Sequence, residues 1–339
     1  MDEIKSSENA IPKEVIKESK KRIKISKKTI FTIILILSLT TNIIFILSVS
    51  VPELTGNVVS EQHFKLIKLQ EKVPIDSNIK ESSILHYDGL RTEIEKEIEK
   101  YNVNGSIGLF LQDVNTGTWM GINERAGFTP ASLLKIPIMI AILKKVERQE
   151  IKLTDRVTLT EEDLDENYGD LYKKGAGTKM SIAELLEEMT INSDNTAQNA
   201  LRKQLSVSEL DAIFIHLGVP DPYLLDNDHV VSPRNYIRFF KALYFSTFLS
   251  PEFSERALDL TTDTQEENLI AKEIPPEVQV AHKFGIIREE FLHDCGIVYH
   301  QENPYFLCIM TKNMVEKSYE FIPKISKDIY DFVDRESNN

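Results

Sequence analysis

Strand-like patterns occur early and late in residues 86–335, and helical patterns lie between them. Apolar residues recur every four positions from 90 to 98 among Glu and Lys, which predicts an amphipathic helix. Two strand-like runs follow, residues 106–114 and 118–123, joined by good turn residues. We therefore expect the first and last strands to close one antiparallel sheet that terminal helices cover, with the middle forming a helical lobe. A cleft between sheet and lobe is the natural place for a site.

The other predicted elements follow the same patterns. The middle helices are residues 132–148, 181–190, 196–204 and 233–244, the late strands are 278–284, 291–299 and 305–311, and a last helix covers 315–333.

The start of the chain predicts a membrane anchor. No charged residue occurs from Thr29 to Pro52, and about 20 apolar residues suffice to cross a bilayer as a helix. Six positive charges in residues 20–28 precede this run, and positive flanks stay in the cytoplasm. A cleaved signal peptide is the alternative interpretation.

These features predict four regions and a location. Residues 1–28 form a cytoplasmic basic tail, 29–51 a transmembrane helix, 52–85 a stalk, and 86–335 the main domain. The predicted location is the cell membrane, with a single pass and the main domain outside the cytoplasm.

Charge and cysteine content exclude some partners. The net charge is −13, and residues 1–28 are positive, so the remainder is strongly acidic and unsuited to nucleic acid. The seven His residues and the two Cys show no ligand spacing, so we predict neither a metal nor another cofactor. Cys295 and Cys308 fall on neighbouring predicted strands. We interpret them as small buried residues, with a disulfide as the alternative.

Three short motifs carry the candidate chemistry. In Ser132-Leu133-Leu134-Lys135, positions three apart share a helix face, so an amine of lowered pKa can take the serine proton. Ser193-Asp194-Asn195 offers a hydroxyl that relays a proton and an amide that holds substrate, and it is also a good helix N-cap.

The third motif is His282-Lys283-Phe284-Gly285, near the end of a predicted strand. Lys283 can attract a substrate carboxylate and lower the pKa of the first lysine. Gly285 lets the strand edge approach a ligand. Ile286 can then donate its N–H, with that of Ser132, to an oxyanion hole.

Together the motifs resemble the S-x-x-K, S-D-N and K-T-G set of class A β-lactamases and penicillin-binding proteins. Residues 128–135, 180–197 and 293–299 are similar to family segments, and the resemblance covers about residues 86–335. It implies an α+β fold, a five-stranded antiparallel sheet flanked by helices plus a helical lobe. It also implies that Ser132, Lys135 and Ser193 are catalytic and that Asn195, Lys283, Gly285 and Ile286 bind substrate.

Two departures from the family stand out. Class A enzymes carry a deacylating glutamate between S-D-N and a later helix start, but here Glu209 is the sole glutamate in that stretch and is typical of a helix face. Asp226 and Asp228 are weak candidates for this base, because each also suits a turn. Phe284 replaces the usual threonine, which indicates a changed substrate.

We therefore weigh three functions. The leading hypothesis is a serine hydrolase that forms an acyl-enzyme on Ser132 with β-lactams or a related amide. The alternatives are a D,D-peptidase-like enzyme acting on peptidoglycan stem peptides and a non-catalytic domain that binds wall peptides.

Overall fold

The structure is a computed structural model that describes residues 65–68, 85–220, 230–262 and 269–337. The predicted basic tail and transmembrane helix, and most of the predicted stalk, lie outside these residues. Among the helices of the described part, none has the length and apolar content needed to span a membrane.

One antiparallel sheet of five strands organises the described domain, as predicted. Its order is β2-β1-β7-β6-β5, so the first strand of the domain pairs with the last strand. The strands are β1 Ile107–Asp113, β2 Trp119–Ile122, β5 Val280–Ile287, β6 Phe291–Val298 and β7 Tyr305–Lys312. A separate ribbon pairs β3 Arg156–Thr158 with β4 Lys179–Ser181.

Helices cover both faces of the sheet. They are α1 Asp88–Lys100, α2 Lys135–Glu147, α3 Ile182–Thr190, α4 Asn195–Arg202, α5 Val207–Leu217, α6 Pro233–Tyr244, α7 Pro251–Thr262 and α8 Val315–Ser337. The predicted stripe of α1 is buried, and α1 packs with α8 in one apolar cluster. Helix α2 is buried in the second cluster, which joins the lobe to the other face of the sheet.

The helical lobe contains elements that the sequence patterns did not predict. Helices α5 and α7 and the β3–β4 ribbon are additional. The predicted helix over 132–148 is split: Ala131–Leu134 is a 3-10 helix, and the α-helix begins at Lys135.

The two cysteines form a disulfide, which corrects our interpretation of them as unbonded residues. Cys295 on β6 and Cys308 on β7 lie directly opposite each other, and their Cα atoms are 3.9 Å apart. Both are fully buried, as expected. The pairing depends on strand register, and a residue's spacing along the chain does not determine that register.

Candidate active site

Ser132 lies in the 3-10 helix that leads into α2. Side chains three apart nearly eclipse in a 3-10 helix, so Lys135 stands directly over the serine. The Lys135 Nζ is 3.0 Å from Ser132 Oγ. Ala131, just before the serine, has a φ of 51°, which costs backbone energy outside glycine. The predicted pair is thus present, on a tighter helix than expected.

Two distant side chains hold this segment in place. The Tyr236 hydroxyl donates to the Leu133 carbonyl at 3.0 Å. His293 Nε2 donates to the Thr129 carbonyl at 2.9 Å, while its Nδ1 accepts from the Thr311 N–H at 3.1 Å. Burial lowers the pKa of His293 to about 4, so the ring stays neutral. No sequence pattern marked either residue, because the carbonyl groups that they bind lie more than 100 positions away.

The second motif brings both lysines to one hydroxyl. Ser193 is buried with a φ of 53°, and its Oγ lies 3.1 Å from the Lys135 Nζ and 3.0 Å from the Lys283 Nζ. Lys135 also donates to the Ser193 carbonyl oxygen and to Asn195 Oδ1, the latter at 2.9 Å. Three of the predicted residues, Ser132, Ser193 and Asn195, therefore contact the Lys135 amine, and Lys283 contacts Ser193.

The motif also caps helix α4, as predicted. Asp194 accepts from the Ala197 N–H at 2.9 Å and from the Leu171 N–H at 2.8 Å, so one carboxylate joins the cap to a neighbouring loop. That loop supplies Asp165, whose Oδ1 accepts from Asn195 Nδ2 at 3.1 Å. Asp165 thereby orients the Asn195 amide. No periodicity or motif marked Asp165 in the sequence.

Lys135 is prepared to act as a base. Its pKa is lowered to about 7, chiefly because burial disfavours the charged amine, while Asp194 and Asp165 act in the opposite direction. A lysine with a pKa near neutrality is unprotonated for much of the time and can accept the proton of Ser132.

Strand β5 runs beside residues 130–134, the candidate nucleophile turn that carries Ser132. A Cβ on Gly285 would lie 2.9 Å from the Pro130 carbonyl oxygen and 3.1 Å from Leu133 Cγ. Glycine is therefore required here for close approach to the turn itself, and the approach of this strand edge to a ligand stays a prediction. Ile286 follows on the strand and is half-buried, and its role in an oxyanion hole stays a prediction.

Phe284 forms part of an aromatic wall. It is fully buried, its ring centroid lies 5.8 Å from that of Tyr168, and the Lys283 Nζ lies 4.1 Å from its ring. Tyr168 in turn lies 5.9 Å from the Lys135 Nζ. A cation near an aromatic face is favourable, so the ring contributes to holding Lys283 in place.

The acids considered for deacylation lie elsewhere or are not described. Glu209 caps α5 together with Ser206 and lies 2.8 Å from the Lys145 Nζ. These contacts lower the pKa of Glu209 to about 2, which makes it a poor base. Asp226 and Asp228 lie outside the described residues. Within the described ranges, no group of three or more His, Cys, Asp or Glu residues could hold a metal ion.

Comparison with known proteins agrees with this arrangement. Residues 89–333 match the Beta-lactamase enzyme family. A beta-lactamase of Bacillus licheniformis is 24% identical over 238 residues, which are 65% of this chain and 76% of that protein. Beta-lactamase L2 of Stenotrophomonas maltophilia is 31% identical over 99 residues, 29% of this chain and 32% of that protein.

Solved structures show the same fold. PBP-A superposes with a TM-score of 0.65 at 24% identity, covering 73% of this chain and 97% of that chain. A beta-lactamase from Sphaerobacter thermophilus gives 0.65 at 22% identity, covering 72% and 97%. At these identities the likeness concerns the fold.

Proposed function

Because this chain belongs to the beta-lactamase enzyme family, we propose that it is a serine hydrolase that forms an acyl-enzyme on Ser132 with β-lactams or a related amide. The observation that carries the proposal is that one buried amine, Lys135 Nζ, contacts both Ser132 Oγ and Ser193 Oγ. A nucleophile, a base and a proton relay are thereby within hydrogen-bond reach of each other.

Acylation proceeds in two stages. Neutral Lys135 takes the proton of Ser132, and the serine oxygen attacks the amide carbon to form a tetrahedral intermediate. The N–H groups of Ser132 and Ile286 stabilise the oxyanion. The carbon–nitrogen bond then breaks while Ser193 gives its proton to the leaving nitrogen and recovers one from Lys135. Asn195, held by Asp165, positions the substrate, and Lys283 attracts its carboxylate.

We infer that deacylation is slow. Glu209 is the sole glutamate between Ser193 and Pro233, and it is engaged by Lys145 at a helix start. With no second glutamate in this stretch to activate water, the acyl-enzyme should persist. This favours the second candidate function, a D,D-peptidase-like enzyme that acts on peptidoglycan stem peptides. A purely wall-peptide-binding domain has no need for two lysines on one buried serine.

A location outside the cytoplasm fits either substrate class. The charge-free run from Thr29 to Pro52 after six positive charges supports a single-pass signal anchor with the catalytic domain outside the cytoplasm. Protease treatment of intact cells should digest the catalytic domain, and protection of the domain would contradict this orientation.

The test is intact-mass spectrometry of the full chain mixed with a penicillin and followed in time. A lasting adduct on Ser132 supports a penicillin-binding, peptidase-like protein. A transient adduct with accumulating opened penicillin supports a β-lactamase. Absence of any adduct contradicts the β-lactam proposal.

Two variants complete the test. Ser132→Ala should abolish the adduct, and labelling of another residue in that variant would refute the mechanism. Ser206→Ala is the matched control: it removes an exposed serine at a helix cap and should leave labelling unchanged.

A further inference from the structure

A cavity of about 730 Å³ lies between helix α6 and the β1–β2 hairpin. Its walls include Phe110, Gln112 and Trp119 from the hairpin side and three cations from α6. Sites for small organic ligands have volumes of this order. Neither Lys135 nor any of the residues that contact its amine lines this cavity, so it is separate from the proposed active site.

The cations are arranged along one side of the helix. Arg234, Arg238 and Lys241 follow each other at intervals of four and three residues, which places them on one face. The described residues that line the cavity include no Asp or Glu. The chain as a whole has a net charge of −13, yet three cations line this concave surface.

Arg234 has unused hydrogen-bonding capacity. Its guanidinium stacks 4.4 Å from the Trp119 ring, and that ring stacks on Phe110 with centroids 5.8 Å apart. The buried Arg234 Nη1 makes no hydrogen bond within the described residues, and Glu124 Oε1 is 3.9 Å away. A stacked guanidinium presents its N–H edge in the plane of the group, where a carboxylate or phosphate binds best.

Neutral partners position the other two cations. Lys241 Nζ donates to Gln112 Oε1 at 3.0 Å, and Arg238 Nη1 donates to the Leu217 and Gly218 carbonyls at 3.2 and 2.9 Å. Because the accepting oxygens are neutral, these contacts orient the side chains without neutralising their charge. Burial, together with the charges of Arg238 and Arg234, lowers the pKa of Lys241. An anion in the cavity would relieve this repulsion.

We propose that this cavity binds a small organic anion, with its phosphate or carboxylate group at Arg234 and Lys241 and its apolar ring or chain against Trp119 and Phe110. The acidic group meets the lysine amine and the part of the Arg234 guanidinium that its long ion pair with Glu124 leaves exposed, since the Arg234 side chain is 32% exposed. The apolar part replaces water on an indole that is 44% exposed. This combination distinguishes the ligand from inorganic phosphate and from a neutral aromatic compound.

The chain contains a built-in reporter for this test. Trp119 is its single tryptophan, so fluorescence emission of the full-length protein reports on the cavity wall directly. Phenyl phosphate, benzoate, inorganic phosphate and phenol are titrated in turn. We expect saturable binding of phenyl phosphate or benzoate, with the tighter one identifying the head group, and at least tenfold weaker binding of inorganic phosphate and phenol.

Charge variants decide between this cavity and general attraction of anions. Lys241→Gln and Arg234→Gln should each weaken binding about tenfold, as expected for one charge-assisted hydrogen bond. Lys96→Gln, an exposed lysine on α1, is the control and should bind like the unchanged protein. Because Arg234→Gln also alters the surroundings of the indole, ligand-observed NMR measures the same affinities independently.

Some results would overturn the proposal. Phenol binding as tightly as both anions would show that charge is irrelevant, and unchanged affinity in both cavity variants would place the anion elsewhere. Displacement by prior acylation of Ser132 with penicillin would show that the anion occupies the active site. Since no variant in this test touches Ser132, failure here leaves the proposed acylation unaffected.

Discussion

At the scale of single residues, Lys135 illustrates how position changes the pKa of a common side chain. It is the first residue of α2, it is buried, and it contacts two serine hydroxyls and one amide oxygen. Two aspartates oppose the effect of burial, yet the pKa falls to about 7. Desolvation therefore outweighs the attraction of both carboxylates.

The pH dependence of acylation should follow this amine. Below pH 7 the rate of penicillin labelling should fall about tenfold per unit, because only the neutral amine acts as a base, and above about pH 8 it should be constant. Mass spectrometry of quenched time points gives the rate. The inflection should lie within roughly one pH unit of the expected pKa, between about pH 6 and 8. A profile without it would exclude Lys135 as the base.

The same shift affects folding. The folded pKa is about 7 and the ordinary value is 10.5, so the unfolded chain binds more protons between these two values. The free energy of unfolding should therefore rise with pH across that window. Lys135→Met should flatten this part of the curve in urea titrations at several pH values. An equal slope in both proteins would refute the burial argument.

Phe284 provides a test of substrate choice. Phe284→Thr should lower the free energy of unfolding by about 3–5 kcal/mol, because it empties a buried aromatic site. It should also raise the rate of penicillin acylation about tenfold, because the new hydroxyl can bind the substrate carboxylate. Phe284→Ala is the matched control, with a similar loss of stability and no hydroxyl. Equal acylation rates in the two variants would separate Phe284 from carboxylate recognition.

At the scale of elements, the contact between β5 and the nucleophile turn depends on one missing side chain. Gly285→Ala should reduce the acylation rate by about tenfold or more, because its methyl group would push the strand from Pro130 and displace the turn by a fraction of an ångström. Gly89→Ala is the control: no atom lies within 4 Å of its added Cβ, and the change should be neutral or slightly stabilising. Equal acylation by both variants would contradict this view of Gly285.

Elements were predictable where burial is one-sided. Helix α1 has one buried stripe, and α8 buries Ile322, Ile325 and Ile329 on one face, so periodicity identifies both. Helix α5 leaves Val207 and Ile215 61% and 71% exposed, so its apolar residues surround the axis and blur the pattern. Strands β3 and β4 have three residues each, too few for a clear alternation.

At the scale of the whole molecule, sequence order explains the architecture but not the contacts within the site. Strands at both ends of the domain and helices between them predict one antiparallel sheet that joins the first and last strands beside a lobe, which the structure confirms. The motifs identify Ser132, Lys135, Ser193 and Lys283, which do converge. The parts that escaped prediction are residues whose role exists only through distant partners, such as the Tyr236 hydroxyl on the nucleophile turn.

The disulfide is a second feature that the tertiary structure decides, since the sequence left it as the alternative to two unbonded cysteines. It joins neighbouring strands across a separation of 13 residues, and such a loop adds about 2–4 kcal/mol to stability. The Cys295→Ala, Cys308→Ala double variant should lose that amount in urea unfolding and acylate at a rate near that of the unchanged protein. A large loss of acylation with an unchanged free energy of unfolding would show that the pair serves the site instead.

The ring of Tyr87, just before α1, lies 6.0 Å from the ring of Phe332 near the end of α8. The beginning and the end of the domain therefore meet at one aromatic contact. Two segments that are far apart in the sequence are therefore close in space. A circularly permuted gene, with residues 65 and 337 bridged by a linker so that the buried Leu66 and Ile67 are kept, and with new termini in the exposed turn at Asn115, should encode the same catalytic domain.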